Sequence, residues 1–120
     1  MKVNVLGTVL ETCSTQPVTG FFRDGSCRTD DQDRGRHVVC AQVTEAFLVY
    51  SKSMGNDLTT PQPPYFQGLN PGDFWCLCAL RWVEAYRAGC APKIKLLCSD
   101  AKLLDYVDIQ TLKGFAIDLN

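Results

Sequence analysis

Pro71-Gly72-Asp73-Phe74-Trp75-Cys76-Leu77-Cys78-Ala79-Leu80-Arg81-Trp82 is the stretch that decides how the chain is organised. Pro-Gly-Asp is a turn signal. The aromatic-rich run 74–78 after it predicts a strand. A helix is expected from about Leu80 to Ala88, with Gly89 as its stop and Pro92 beyond it. The strand matters because of Cys76 and Cys78. On a strand, residues i and i+2 share a face, with Cα atoms roughly 6.5–7 Å apart. That is the outer limit for a disulfide, but it lets two thiolates converge on one zinc ion. A helix begun at Phe74 would set the two thiols about 200° apart. The competing explanation is simple packing: two small apolar residues beside Trp75 and Trp82.

Upstream, His37-Val38-Val39-Cys40-Ala41-Gln42-Val43 is short and rich in β-branched residues, so a second strand is expected. Thr44 can cap a helix running to Met54, with Phe47, Leu48, Ser51 and Met54 on one face and Gly55 as its stop. Residues 55–73 hold Pro61, Pro63, Pro64 and Pro71, which excludes a helix or a central strand. A loop of that length is often a lid or binding loop. Residues 7–36 lack a sustained period and are expected to be mostly loop, with Phe21-Phe22 as an apolar anchor. Val3–Leu6 reads as a short strand. Lys93–Cys98 reads as another, followed by short helices capped by Ser99 and Asp108. The expected fold class is α+β: one domain over 1–120, a two-layer sandwich with short strands, two main helices and a long irregular N-terminal region.

Composition narrows the function classes. The 46% hydrophobic and 21% charged content is that of a folded globule. A formal net charge of −1 leaves no basic footprint for nucleic acid and no polybasic membrane patch. Met1–Gly7 is too short and too soon broken for a signal peptide, and no apolar run approaches the roughly 20 residues of a membrane span. The expectation is a cytoplasmic, soluble protein with reduced thiols. Seven cysteines among 120 residues fall below the roughly 8–10% of disulfide scaffolds, and their number is odd. They read as free thiols, a metal site, or both.

Several motifs in order carry a resemblance: Asn4-Val5-Leu6-Gly7, Thr19-Gly20-Phe21-Phe22-Arg23-Asp24-Gly25, Gly35-Arg36-His37-Val38-Val39-Cys40, Gly55-Asn56-Asp57-Leu58, and Pro71 through Trp82. Together they resemble the small bacterial proteins grouped as domain of unknown function 2237. The resemblance spans nearly the whole chain. It implies a compact α+β fold and no assigned activity. Cys13, Cys27, Cys40, Cys76 and Cys78 fall in stretches that match the pattern, whereas Cys90 and Cys98 fall where the family usually has other residues.

Three chemistries remain open. The leading one is a pocket for a small anionic ligand, built from Arg23, Asp24, His37, Asn56, Asp57, Cys76, Cys78 and Arg81. A fixed arginine clamps a carboxylate or phosphate in bidentate fashion, and a helix start beside Arg81 would add N–H donors. The bland alternatives are an Arg81 pair with Asp24 or Asp57, and turn hydrogen bonds for Asn56-Asp57. The second is a thiol-dependent enzyme with His37, the only histidine, as base; Cys13 and Cys27 lie in the irregular region that can approach it. The third is a structural zinc site drawn from Cys13, Cys27, Cys40, Cys76 and Cys78, although no Cys-x-x-Cys knuckle exists. His37 and Cys40 face opposite sides of a regular strand, so they serve together only if His37 precedes it. The charges at 28–34 balance and read as a solvated loop with weak ion pairs. Nucleotide-loop, serine-hydrolase and His-Glu-x-x-His motifs are absent.

Overall fold

The computed structural model describes residues 2–119. Its elements are β1 (His37–Gln42), α1 (Glu45–Ser53), β2 (Phe74–Cys78), α2 (Ala79–Arg87), β3 (Lys93–Ile94) and α3 (Ile109–Lys113), with 3-10 turns at Leu96–Cys98 and Ala101–Asp105. The three strands form one antiparallel sheet in the order β2-β1-β3. With the helices, this makes an α+β globule.

Local chemistry accounts for the two main helices. The Thr44 hydroxyl accepts the Phe47 N–H at 3.1 Å and starts α1. Phe47, Leu48 and Ser51 are its buried face. In α2, Ala79, Trp82 and Ala85 turn inward. The Trp82 indole donates to the Pro92 carbonyl at 3.0 Å, so its one polar atom is satisfied in the interior.

Alternation along the strands sorts two clusters. Val39, Ala41, Trp75 and Leu77 join Phe47, Leu48 and Trp82 in the apolar core. Cys40 and Cys76 join Cys13, Cys27 and Cys98 in a second, sulfur-rich cluster, with Phe74 and Leu97 packed against it.

The N-terminal region covers that sulfur-rich cluster. The Val3–Leu6 strand is not formed; Val3 and Asn4 make isolated bridges to Val9 and Asp100. The cause is Asn4, a fully buried amide that donates to Thr8 Oγ1, the Val9 carbonyl and the Leu97 carbonyl. Those bonds curl the backbone around a side chain where a ladder would keep it extended. Further on, the Thr19 hydroxyl accepts the Cys76 N–H at 2.8 Å, satisfying a donor on an edge strand.

The expected strand over 93–98 ends at Ile94. Beyond it, the Asp118 carboxylate accepts the N–H groups of Leu96 and Leu97 at 2.9 and 3.0 Å and turns the chain into a 3-10 coil. The cap of the next turn is Asp100 rather than Ser99. Ser99 is buried and spent elsewhere, accepting the Cys40 N–H at 3.0 Å.

The expectation of free thiols is corrected for four of the seven. Cys13 pairs with Cys40 and Cys27 with Cys76, their Cα atoms 5.7 and 5.3 Å apart, within the usual range for a bridge. Each pair ties the N-terminal segment to a sheet strand. Cys78, Cys90 and Cys98 are free.

Candidate functional site: a thiol, an imidazole and a buried carboxylate

The ladder between β1 and β2 places His37 opposite Cys78. Cys40 faces Cys76 and Val39 faces Leu77, but the next rung is His37 with Cys78, because Val38 is an extra residue in a β-bulge. One inserted residue reverses the parity of everything before it. His37 therefore lies on the face of Cys40, Cys76 and Cys78, although it is three residues from Cys40. Two backbone bonds brace the bulge: Val38 N–H to the Arg36 carbonyl at 2.8 Å, and Ala79 N–H to the same carbonyl at 2.9 Å. Arg36 itself takes a left-handed φ of 46°, a conformation uncommon for a residue with a side chain.

Asp33 completes the group. Its side chain is wholly buried, in the stretch that read as a solvated loop. One carboxylate oxygen meets His37 Nδ1 at 2.7 Å. The other accepts the His37 N–H at 3.0 Å and the Thr29 hydroxyl at 2.9 Å. Burial pushes the Asp33 pKa up, but these hydrogen bonds and the imidazolium charge outweigh it and hold the carboxyl below its ordinary range. The His37 pKa is pushed up to about 9. The interaction with the Cys78 sulfur contributes most, burial opposes it, and the Asp33 hydrogen bond adds to the rise. With Nδ1 committed to Asp33, Nε2 is the nitrogen left for proton exchange.

Cys78 is the last residue of β2 and the N-cap of α2, and its side chain makes no cap hydrogen bond. The positive end of a helix dipole favours negative charge at that position. Gly35 packs against both partners: a Cβ there would stand 2.9 Å from His37 Cε1 and 3.3 Å from Cys78 Sγ.

Two cavities meet at Cys78. The first, about 280 Å³, is lined by Phe21, Arg23, His37, Asn56, Trp75 and Cys78 among others. Phe21 stacks on the imidazole at 6.1 Å, so this half of the expected anchor lids His37 and does not enter the core. Arg23, with a left-handed φ of 55°, lays its guanidinium over Trp75 at 4.9 Å. Among the described residues it has no ion pair, unlike Arg28, Arg36 and Arg81. The second cavity, about 290 Å³, is lined by Arg34, Gly35, Arg36, Cys78, Arg81 and Tyr106 among others.

The predicted site residues thus separate. Arg23, His37, Asn56 and Cys78 share the first cavity, and Arg81 stands in the second. Arg81 pairs with Glu84 at 3.3 Å and donates to the Met54 carbonyl, and not to Asp24 or Asp57. Asp24 is engaged by Arg28 at 2.7 Å. Asp57 closes a turn on Thr59 and Thr60, which holds its carboxyl well below the usual range. Cys76 is buried and bonded to Cys27. Of the suggested zinc ligands, Cys13, Cys27 and Cys76 have sulfurs mutually within 4.8 Å, whereas Cys78 faces His37. Asp33 carried no signal in the sequence beyond lying four residues before the only histidine.

The family model of uncharacterised proteins conserved in bacteria, domain of unknown function 2237, matches residues 3–116. The chain belongs to that family. A comparison with curated proteins gives no match. The family match spans Asp33, His37 and Cys78 as well as the four paired cysteines. Among the described residues no helix is long and apolar enough to cross a membrane.

Proposed function

We propose that Cys78 is the nucleophile of a thiol-dependent acyl-transfer or hydrolytic site, with His37 as its base and Asp33 as the group that orients the imidazole. The observation that carries this reading is that Cys78 faces His37 on the ladder, both line one open cavity, and a buried Asp33 carboxylate oxygen stands 2.7 Å from His37 Nδ1. A thiol, a base in reach of it and a third group fixing the base are what nucleophilic catalysis requires. In the step proposed, the proton shared by Cys78 and His37 already rests on the imidazolium, and the sulfur forms a bond to an acyl carbon. The leaving group departs with that proton, and water then hydrolyses the thioester. The N–H groups of Leu80 and Arg81, in the first turn of α2, have no carbonyl partner within the helix and are suited to a developing oxyanion.

A small anionic ligand remains the reading for the cavity itself, supported by the Arg23 guanidinium, which has no ion pair among the described residues and lines the same cavity as Asn56. The two readings combine into a carboxylate-bearing electrophile held by Arg23 and attacked by Cys78.

The test is alkylation of the native protein at neutral pH with iodoacetate and iodoacetamide, read by peptide mass spectrometry. Cys78 is expected to react first, and faster with the anionic reagent; Arg23→Gln should reverse that preference and Cys78→Ser should abolish labelling at this position. A native protein whose Cys78 reacts only after unfolding would rule out the nucleophile. A Cys78 that reacts without anion preference would rule out the role of Arg23 while leaving the thiol site standing.

A further inference from the structure

We infer that Cys13, Cys27, Cys40 and Cys76 form a second site, separate from Cys78, which in its reduced state binds one soft divalent metal ion such as zinc. Four separate stretches of chain deliver these sulfurs: two loop segments, β1 and β2. Cys40 and Cys76 are facing partners on adjacent strands, and each is paired with a loop cysteine that crosses above the sheet. The two bridges therefore lie side by side and not at remote points. The sulfurs of Cys13, Cys27 and Cys76 are within 4.8 Å of one another, and Cys40 is bonded to Cys13.

Two crosslinks that serve only to tether loops have no reason to share one pocket. Four thiolates around a metal do. Zn–S bonds of about 2.3 Å in a tetrahedron set ligand sulfurs roughly 3.8 Å apart. Opening both bridges lengthens the bonded separations toward that value; Cys13, Cys27 and Cys76 start within 4.8 Å of one another, and Cys40, outside that group, has to swing in toward them once its bond to Cys13 is opened. Rotation about the Cα–Cβ bonds covers movements of that size while the β1–β2 ladder stays in register.

The donor set decides the metal class. All four residues are buried, and among the described residues no carboxylate or imidazole joins the three-sulfur group. Sulfur-only sites select zinc, cuprous ion or iron over magnesium and calcium. The fifth sulfur of the cluster is otherwise engaged: Cys98 Sγ donates to the Thr12 carbonyl at 3.3 Å.

The exchange balances with a dithiol reductant. Each protein disulfide takes two electrons and two protons from one dithiol, which becomes a disulfide. The four thiols then release four protons as the metal binds. Oxidation reverses the sequence and expels the ion, so the same residues alternate between two crosslinks and one metal centre.

The experiment uses the whole chain, reduced with a phosphine under argon and titrated with cobalt(II). One equivalent is expected, with the thiolate-to-cobalt charge-transfer band and intense visible bands of a tetrahedral sulfur site. Zinc should bleach them, and oxidation should release the metal with a mass loss of four hydrogens. Cys13→Ser or Cys27→Ser should abolish or shift the spectrum, and Cys78→Ser and Cys98→Ser should leave it unchanged. A reduced chain that takes up no stoichiometric cobalt or zinc overturns the proposal, and so does a spectrum that persists unshifted in Cys13→Ser and Cys27→Ser. Should those variants not fold, X-ray absorption of the zinc-loaded wild type decides: four sulfur neighbours support the site, and a mixed shell with nitrogen or oxygen refutes it.

Discussion

Two neighbouring pairs of one ladder have opposite fates. Cys40 and Cys76 face each other in the interior, each bonded to a loop cysteine and closed to solvent. One rung beyond Leu77, His37 and Cys78 face each other with the imidazole about a third exposed (35%) and a cavity at hand. Both pairs stand on the same two strands, and Cys76 and Cys78 share a face. What separates them is the Val38 bulge and the end of β2, where the chain turns into α2. The lesson is that a cysteine's chemistry here is set by what crosses above it. Two loop cysteines, Cys13 and Cys27, arrive over the inner pair, and a buried aspartate arrives behind the outer one.

Opening the inner pair should give the largest effect. Bridges spanning 27 and 49 residues restrict the unfolded chain by about 3–4 kcal/mol each on a chain-entropy estimate. Urea denaturation with a dithiol and a metal chelator should therefore move the midpoint sharply down relative to the oxidised protein. An unchanged midpoint would mean that the inner pair is not crosslinked in solution, and the contrast between the rungs would fail. Adding zinc to the reduced protein should recover much of the loss, since a ligand that binds only the folded state stabilises it.

Perturbing the outer pair should give a smaller effect, visible in rate and pH dependence. His37→Ala should slow alkylation of Cys78 by about 100-fold at neutral pH. In the wild type, the His37 imidazole should titrate by NMR near 9 against an ordinary value of 6.5. A raised folded pKa means that the folded state holds the proton more tightly. Its contribution to stability is full below about 6.5 and is lost as pH rises through about 9. Asp33 runs the other way: its lowered pKa contributes above the ordinary 3.8 and is lost as pH falls through the folded value. Asp33→Asn and Cys78→Ser should each lower the His37 pKa. A His37 that titrates near 6.5 in the wild type would show that neither partner engages it.

How much of this could be read beforehand follows from the range of the interactions. The helices over 45–53 and 79–87 and the strands 37–42 and 74–78 were legible because caps, turns and periodicity act within a few residues. The strand expected over 93–98 stops at Ile94 because Asp118, over twenty residues away, takes the N–H groups of Leu96 and Leu97. The cysteine pairing was hidden because spacing does not specify connectivity. A reducing environment bears on whether thiols stay free, not on which sulfurs the fold brings together. In the site, Cys78, His37, Arg23 and Asn56 are legible from their local setting. Asp33 was lost in a run of balanced charges, where burial depends on the fold and not on composition. The link between His37 and Cys78 needed the bulge, and one extra residue in a strand leaves no mark in a β-rich sequence.

The smallest expected effect is the sharpest test of the outer pair. Gly35 does not need its glycine for a left-handed backbone; the space against His37 Cε1 and Cys78 Sγ is what a side chain would take. Gly35→Ala should therefore leave the fold nearly intact and push the imidazole or the thiol by a few tenths of an ångström. Misplacements near 1 Å can cost about 100-fold, so a shift this small should slow Cys78 alkylation by roughly threefold to tenfold. The His37 pKa should fall with it, because its largest support is the Cys78 sulfur. A rate and a pKa that both ignore the added methyl would mean that imidazole and thiol are not held against Gly35 together. Cys78 would then be an end-of-strand cysteine beside a histidine, and the outer rung would owe its difference from the inner one to exposure alone.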